Sequence, residues 1–278
     1  MNCANTQMSA TIFNGKLAAA DILTDVRGRV MKLKEAPKLL SFYNPKDSAS
    51  VLYTRIKKQK AENVGIEFEE RPTSLGELRG IGYDEIVEQI VEAGREQSIT
   101  GVLIQHPTGE YSVEEEDWKR LVNAINPKKD VDGLRADSPF VPATVRAVLV
   151  ALDFSGIDYK GCKIAVVGAT GMVGRPLVRV LRKMGAKVRE IDERTRDIWF
   201  QTKASDVLIS CVGKPNLIHG DMIKKGAVVV DVGSPGGDVN FESAQAVASF
   251  ITPVPGGIGP LTVASLLKNT VLATEQQV

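Results

Sequence analysis

Lys163-Ile-Ala-Val-Val-Gly168-Ala-Thr-Gly171-Met-Val-Gly174 is the part of this sequence that decides the fold. An apolar run followed by spaced glycines predicts a buried strand, a sharp turn and then a helix from about 173 to 184. More strands are expected after it, at 186–191, 206–212 and 227–231. Alternation of this kind builds a parallel sheet, and glycines at such a turn let a pyrophosphate approach the helix N-terminus. We therefore predict a Rossmann-type domain that binds a dinucleotide.

The expected cofactor is NAD or NADP, and the ribose-binding acid should stand about 20 residues after the first glycine. Asp192 and Glu193 occupy that place. Their carboxylates accept hydrogen bonds from a free 2′-hydroxyl and repel a 2′-phosphate, which favours NAD. Arg194 and Arg196 can pair with that phosphate, so NADP stays open. For single residues the alternatives are a ligand-free turn and a solvated strand end. The predicted cofactor-binding residues are Gly168, Ala169, Thr170, Gly171, Val173, Gly174, Asp192, Glu193, Arg194, Gly213, Asp231 and Gly233.

The first half of the chain shows the same alternation and predicts a second α/β domain with a mostly parallel sheet. Its helices are expected at 15–34, 47–63, 83–97 and 113–124, and its strands at 37–44, 66–71 and 99–105. After a connecting helix over 142–152, the last helix, 260–278, is expected to pack back onto the first domain. We therefore predict two α/β domains with a cleft between them, an N-terminal catalytic domain over 1–140 and the dinucleotide-binding domain over 141–259.

Composition favours a small-molecule partner. Of the 278 residues 43% are hydrophobic, and 35 Lys and Arg face 34 Asp and Glu, so no positive field would gather nucleic acid or an anionic membrane. The cysteines and histidines, Cys3, Cys162, Cys211, His106 and His219, show no metal-ligand spacing, and so few cysteines fit a reducing compartment. We expect no metal, no export signal and no membrane span, and hence a cytoplasmic protein.

A predicted helix in the first domain carries a hydroxyl, a phenol and an ammonium on one face, from Ser50, Tyr53 and Lys57. An ordinary solvated helix surface is the alternative reading of that face. Gln105 ends an apolar strand just before a proline, and an amide there is more easily explained by ligand contact than by core packing. Asp132, in the stretch Lys-Asp-Val-Asp-Gly, is the remaining polar candidate.

Two other polar features are given no catalytic role. Strand alternation turns His106 to the face opposite Gln105. The acidic run from Glu114 to Asp117 is typical of a first helical turn, where the helix dipole favours carboxylates.

Six motifs, in chain order, resemble the methylenetetrahydrofolate dehydrogenase/methenyltetrahydrofolate cyclohydrolase family. They are Ser50-x-x-Tyr53-x-x-x-Lys57, Gly101-x-x-x-Gln105-x-Pro107, Lys129-Asp-Val-Asp-Gly133, Val173-Gly-Arg-Pro176, Asp231-Val-Gly233 and Thr252-Pro-Val-Pro-Gly-Gly-Ile-Gly-Pro260. Together they span nearly the whole chain. The third and the last are highly specific for that family, whereas the glycine turn is generic.

The resemblance implies oxidation of 5,10-methylenetetrahydrofolate with NAD(P) and hydrolysis of the methenyl product to 10-formyltetrahydrofolate, by a homodimer in one-carbon metabolism. It implies a catalytic role for Lys57, whose pKa must be lowered if it is to move protons. It implies that Tyr53 positions the folate and the lysine, that Gln105 hydrogen-bonds the lysine or the reacting water, and that Asp132 holds the pterin. The implied substrate-binding residues are Ser50, Tyr53, Asp132, Pro255, Gly256 and Gly257.

The sequence departs from the family pattern at four places. The family's Arg-Ser is Ala-Thr at 169–170, and its His-Ser-Arg/Lys-Thr is Asp-Glu-Arg-Thr at 192–195. Both changes remove groups that face a 2′-phosphate in NADP-using members, which again favours NAD. Pro-Cys-Thr-Pro-x-Gly becomes Pro-Ala-Thr-Val-Arg-Ala at 142–147, and the loop after Asp231 is shortened to Ser-Pro-Gly-Gly-Asp at 234–238. Every candidate group for hydrolysis is kept.

Three alternatives stay open at this level. A monofunctional NAD-dependent methylenetetrahydrofolate dehydrogenase would carry out the oxidation alone. A short-chain-type dehydrogenase also has a glycine turn and a Tyr-x-x-x-Lys pair, but its pair follows the turn, whereas Tyr53 precedes Gly168 by 115 residues (168 minus 53). A non-catalytic nucleotide-sensing protein would bind the dinucleotide but no folate.

Overall fold

The computed structural model describes residues 10–277. The chain divides into two units, each taken by itself below. The three-stranded unit comprises residues 20–143 and 263–277, and the six-stranded unit comprises residues 10–19 and 144–262.

Strands and helices alternate in both units. The strands are β1 (Thr11–Ile12), β2 (Lys38–Tyr43), β3 (Glu67–Pro72), β4 (Gly101–Ile104), β5 (Lys163–Val167), β6 (Lys187–Ile191), β7 (Val207–Ser210), β8 (Val228–Asp231) and β9 (Phe250–Ile251). The α-helices are α1 (Gly15–Val30), α2 (Ser48–Asn63), α3 (Asp84–Arg95), α4 (Glu115–Ala124), α5 (Ala143–Phe154), α6 (Gly174–Lys183), α7 (Ile198–Lys203), α8 (Phe241–Gln245) and α9 (Ile258–Gln277). Within the described residues, no helix is long and apolar enough to cross a bilayer.

Parallel pairing in the order β3-β2-β4 forms the sheet of the three-stranded unit. β2 and β4 are almost wholly buried, because their alternating side chains enter a core on each face. Leu39 and Leu103 enter the core that α2 and α9 also line, whereas Leu40 and Val102 enter the core lined by α3 and α4. The same alternation puts Gln105, two residues after Leu103, on the α2 side of the sheet.

The six-stranded sheet is also entirely parallel, in the order β1-β9-β8-β7-β5-β6. The chain passes from β5 outward to β6 and then returns to the other side of β5, where β7 pairs. The point at which the strand order reverses therefore lies between β5 and β7. Ligands of open parallel sheets bind at such a point, beyond the carboxyl ends of the strands. The predicted α/β class with two parallel sheets is confirmed.

Every helix and strand expected from the sequence forms, and the corrections concern boundaries and short elements. The first helix ends at Val30 and not at 34, because the next residues close a tight turn in which the amides of Lys32 and Leu33 donate to carbonyls three residues back. No sequence pattern predicts β1, α7 or α8. These elements have two to six residues, too few for a hydrophobic period to be visible.

Asn269, on the buried side of α9, holds two segments of the three-stranded unit together. Its Nδ2 donates to the carbonyl oxygens of Val131, 2.8 Å away, and Val141, 3.0 Å away. The asparagine side chain and the bond to Val131 are fully buried, and the bond to Val141 is partly buried. Val131 immediately precedes Asp132, so this bond also fixes the backbone that carries Asp132.

We expect Asn269→Ala to lower the free energy of unfolding by about 2–3 kcal/mol, because one buried and one half-buried carbonyl lose their donor. Urea denaturation measures the change. The exposed Asn123 supplies the control, and Asn123→Ala should change the same quantity by less than roughly 0.5 kcal/mol. Equal losses in the two variants would contradict the assignment.

Candidate active site and cofactor site

Lys57 and Gln105 are brought together by the packing of α2 on the three-stranded sheet. The backbone N–H of Gln105 continues the β4 pairing by donating to the carbonyl of Phe42 at 2.8 Å. Lys57 lies three turns into α2, and its Nζ donates to Gln105 Oε1 at 2.7 Å. The amide oxygen of Gln105 is thus committed to the lysine, while its N–H groups can serve as donors to a ligand.

Burial and one opposite charge set the protonation of this site. Burial lowers the pKa of Lys57, and the charge of Asp132 partly opposes that shift. Burial likewise raises the pKa of Asp132, and the charge of Lys57 partly opposes it. Lys57, Gln105 and Asp132, predicted as catalytic residues from separate motifs, therefore share one site within the three-stranded unit.

The remaining candidates on α2 differ in their surroundings. Tyr53 is half-buried and lies one turn before Lys57 on the same helix face. Ser50 is fully buried, and its hydroxyl donates to Asp47 Oδ2 at 2.7 Å. His106 packs against the Trp118 ring, with 4.5 Å between ring centroids, on the face away from Lys57 that strand alternation predicts. Its ring nitrogens are therefore no part of the lysine site.

The Lys-Asp-Val-Asp-Gly motif divides its charged residues between structure and site. Lys129 is buried, and its Nζ donates to two carbonyls at the end of α3. Asp130 is fully buried and accepts from the backbone amides four and five residues further along. The side chains of Lys129, Asp130 and Asn269 thus fix the backbone around Asp132. The Asp132 carboxyl group itself interacts electrostatically with Lys57.

The turn between β5 and α6 has the backbone that a pyrophosphate needs. Gly168 has φ +84°, and a Cβ there would stand 2.6 Å from the carbonyl oxygen of Cys211. A Cβ on Gly174 would stand 2.1 Å from the Gly168 oxygen, so α6 begins directly against the turn. Ala169 is buried, and Gly171 closes the turn by donating to the Gly168 oxygen at 3.0 Å. Gly168 and Gly174 therefore have no room for a Cβ atom, and the N-terminus of α6 stays open to a ligand.

The acidic segment after β6 lies next to this turn, because the amides of Gly168 and Ala169 both donate to the carbonyl of Ile191. Asp192 uses Oδ1 to accept from the Arg194 amide at 2.9 Å and from the Thr195 hydroxyl at 3.1 Å. Its carboxylate thus both shapes the segment and keeps a negative charge beside the glycine turn. Glu193 and Arg194, like Arg196, are exposed.

A buried carboxylate, Asp238, supports the end of β7. It accepts from the Ser210 hydroxyl at 2.8 Å, from the Val212 amide at 2.7 Å and from the Gly213 amide at 2.8 Å. Gly213 has φ +78°, and a Cβ there would meet nothing within 4 Å. The hydrogen bonds to Asp238 therefore fix the backbone after β7 and leave open space beside Gly213.

A second buried carboxylate, Asp231, supports the shortened loop after β8. It accepts from the amides of Gly233, Asp238 and Val239 at 2.8 to 3.0 Å. Burial raises the pKa of Asp231, and these amide donors oppose the rise. The contribution of Asp231 to a cofactor site is therefore through the loop that it shapes.

The loop that follows β9 is built around close backbone contacts. The Val254–Pro255 peptide is cis, Pro255 is exposed and Gly256 has φ +106°. The Gly257 amide donates to the Pro253 carbonyl at 2.8 Å. A Cβ on Gly15, at the start of α1, would stand 1.8 Å from the Gly257 oxygen, so only glycine fits there.

Sequence reasoning did not identify Asp47, Asp238, Asn269 or Gly15. Asp47 carried a usable signal, since Asp just before a helical pattern is a common N-cap. The other three act through contacts with residues distant in sequence, and a single sequence has no pattern that marks such contacts.

Two family descriptions match the chain. The NAD(P)-binding domain of tetrahydrofolate dehydrogenase/cyclohydrolase matches residues 142–278, and the catalytic domain matches residues 13–132. The bifunctional protein FolD of Moorella thermoacetica is 39% identical over 290 residues, which cover 97% of this chain and 100% of that protein.

Solved structures agree with these matches. A bifunctional FolD methylenetetrahydrofolate dehydrogenase/cyclohydrolase from Campylobacter jejuni superposes with a TM-score of 0.87 at 30% identity, over 97% of this chain and 100% of that one. The Trypanosoma brucei methylenetetrahydrofolate dehydrogenase-cyclohydrolase, complexed with NADP and an inhibitor, gives 0.85 at 29% identity, over 97% and 98%. The resemblance drawn from the motifs is thereby confirmed: the chain belongs to the tetrahydrofolate dehydrogenase/cyclohydrolase family.

Proposed function

We propose that this protein oxidises 5,10-methylenetetrahydrofolate to the 5,10-methenyl form with NAD(P) and hydrolyses that product to 10-formyltetrahydrofolate. The observation that carries the proposal is the hydrogen bond between Lys57 Nζ and Gln105 Oε1, beside Asp132, at a lysine whose pKa burial lowers. The family relationship supports both activities, because relatives of matching length are named bifunctional. We assign the groups that carry out hydrolysis to the three-stranded unit and the dinucleotide to the six-stranded unit.

Hydrolysis begins when water adds to the methenyl carbon, and it ends when the bond from that carbon to N5 breaks. Two protons leave the water oxygen and one is placed on N5, so one proton goes to solvent. Lys57 as a free amine accepts the first proton, and as an ammonium it gives a proton to N5. Gln105 holds the lysine nitrogen at its Oε1 and offers its N–H groups to the reacting water.

The other candidates in this unit orient the folate. Asp132 can accept hydrogen bonds from the N–H groups of the pterin. Its charge also opposes part of the lowering of the Lys57 pKa. Tyr53 lies on the same helix face and can stack on or hydrogen-bond the substrate beside Lys57. We keep Ser50 as a substrate-binding residue of this unit. Pro255, Gly256 and Gly257, in the loop after β9 of the six-stranded unit, also remain proposed substrate-binding residues.

When bound, the dinucleotide supplies the hydride acceptor for the oxidation. No base is needed, because loss of hydride from the methylene bridge leaves a delocalised methenyl cation. The six-stranded unit fits this ligand: glycines keep the N-terminus of α6 approachable, and Asp192 stands beside them. The residues proposed to hold it are Gly168, Ala169, Thr170, Gly171, Val173, Gly174, Asp192, Glu193, Arg194, Gly213, Asp231 and Gly233.

We expect Lys57→Met to lower kcat for methenyl hydrolysis by about a hundredfold or more, since it removes the proton carrier but keeps the side-chain volume. The KM for the dinucleotide should not change. In the unchanged protein, kcat for hydrolysis should rise with pH as Lys57 loses its proton, with a midpoint below the ordinary lysine pKa of about 10.4. Steady-state rates across pH measure both effects.

Lys58→Met is the matched control on the same helix, because Lys58 pairs with Glu70 at the surface. It should leave hydrolysis unchanged. Full hydrolysis by Lys57→Met would remove Lys57 from the mechanism. Oxidation without hydrolysis in the unchanged protein would instead indicate a monofunctional dehydrogenase.

For the cofactor we propose NAD over NADP. The charge of Asp192 lies beside the glycine turn, Glu193 follows it, and Ala169 and Thr170 offer no cation to a 2′-phosphate. Arg194 and Arg196 oppose this preference, but both are exposed to solvent, which weakens their attraction.

We expect a lower KM for NAD than for NADP. Asp192→Asn should reduce the ratio of the KM for NADP to that for NAD by about fivefold, because removing one charge relieves about 1 kcal/mol of repulsion. The amide oxygen can still accept the bonds that shape the segment, so the effect tests charge. Asp197→Asn, an exposed acid nearby, is the control and should keep the ratio. A lower KM for NADP in the unchanged protein would mean that the arginines dominate.

We further propose a cytoplasmic homodimer, as the motifs imply. Static light scattering on the purified protein should give twice the mass of one chain. A mass of one chain at micromolar concentration would contradict the dimer and leave the site proposals in place.

A further inference from the structure

Asp47 is a buried carboxylate with donors on two separate segments of the three-stranded unit. Only 4% of the residue is exposed. From α2, the Ala49 amide donates to Oδ1 at 3.0 Å and the Ser50 hydroxyl donates to Oδ2 at 2.7 Å. From the segment after β4, the Thr108 amide donates to Oδ2 at 2.9 Å, and its hydroxyl lies 3.3 Å from Oδ1.

These two segments carry the two partners of the lysine hydrogen bond. α2 begins directly after Asp47 and carries Lys57 ten residues later. Thr108 follows Gln105 by three residues, at the carboxyl end of β4. Asp47 therefore joins the start of the lysine's helix to the chain that continues from the glutamine.

An ordinary helix cap does not account for this arrangement. A cap needs one acceptor for an amide of the first turn, and a serine or asparagine supplies it as well as an aspartate does. Here Thr108, 61 residues further along the chain, also donates to both oxygens of the carboxylate. Burial pushes the pKa of Asp47 upward, but the bonds from Ser50, Thr108 and Ala49 outweigh it, so the pKa lies below its ordinary value and the group is ionised at neutral pH.

We propose that Asp47 is a positioning residue for the hydrolytic step, which holds α2 against the segment after β4 so that Lys57 and Gln105 stay within hydrogen-bonding distance. Asp47 does not touch the reacting atoms. The inference rests on the function proposed for Lys57 and adds a residue whose effect is transmitted through the backbone. A displacement of about 1 Å at a reacting group can cost a hundredfold in rate.

Asp47→Ser separates the two roles of the carboxylate. The hydroxyl can still cap α2, but it is shorter and offers one oxygen, so the bonds to Thr108 are lost. We expect kcat for methenyl hydrolysis to fall about tenfold or more, with the KM for NAD(P) unchanged. Because the Lys57 site loosens and admits water, the titration midpoint of Lys57 should move to higher pH.

The midpoint is measured by NMR on protein labelled with ¹³C at the lysine Cε, with the Lys57 signal assigned from its absence in Lys57→Met. This readout does not need turnover. If the unchanged protein hydrolyses no methenyltetrahydrofolate, the proposed function fails while the titration still tests the role of Asp47. Lys46→Ala, beside Asp47 and paired with Glu77 at the surface, is the control and should change neither quantity.

A general loss of stability would lower the rate without moving the midpoint, so a reduced rate with an unchanged midpoint would overturn the proposal. Unchanged rate and midpoint would overturn it as well. If Asp47→Ser does not fold, Asp47→Asn takes its place, because the amide keeps the side-chain shape but offers one oxygen where the carboxylate offers two. The same two measurements then decide.

Discussion

Parallel pairing of β4 with β2 is the constraint on which the lysine site depends. The pairing continues one residue beyond β4, because the backbone N–H of Gln105 donates to the Phe42 carbonyl. This bond fixes the position from which the glutamine side chain projects. α2 lies on that side, because Ala61 in its last turn shares a core with Leu39 and Leu103. The packing of α2 on the sheet thus brings the Lys57 nitrogen to an amide oxygen, and the core supplies the free energy that compensates for partly removing the lysine from water.

Both units use buried carboxylates to hold segments that have no regular secondary structure. Asp47 and Asp130 do so in the three-stranded unit, and Asp231 and Asp238 do so in the six-stranded unit. Each accepts at least two backbone amides, so one side chain satisfies several main-chain donors at once. A loop at the end of a strand that must stay open for a ligand cannot be filled with apolar side chains. Hydrogen bonds to the oxygens of a carboxyl group give it a fixed shape without filling it.

Much of the site could be predicted from the sequence because its side chains stand at regular places. Tyr53 and Lys57 follow helical spacing, and Gln105 ends an apolar run. Asp132 stands at no such regular place, and only its motif, Lys-Asp-Val-Asp-Gly, indicates a role for it. Its two charged neighbours in that motif have structural roles. Lys129 Nζ donates to a carbonyl at the end of α3, and Asp130 accepts from the backbone amide of Arg135.

What could not be predicted shares one physical character. Asn269 reaches carbonyls more than a hundred residues earlier in the chain, and Asp238 reaches amides about 25 residues earlier. A side chain that satisfies a distant backbone group leaves no period in the sequence, because only one residue is involved and its partner is the main chain. The end of α1 at Val30 has another cause, a local backbone turn, which was not predicted because residues 31–33 could continue the helix by composition.

The balance at Lys57 explains why an aspartate accompanies the lysine. Burial alone drives a lysine pKa far down and leaves the amine neutral, a state in which it can accept a proton but returns one too readily. An opposite charge alone would hold the ammonium and leave no base. Asp132 opposes part of the effect of burial, and the Gln105 oxygen accepts from the nitrogen without adding a full charge. In the proposed mechanism Lys57 must both take a proton from water and give one to a leaving nitrogen, which requires a pKa between these extremes. Burial lowers the pKa of Lys57 and the charge of Asp132 opposes part of that shift, as this requirement demands.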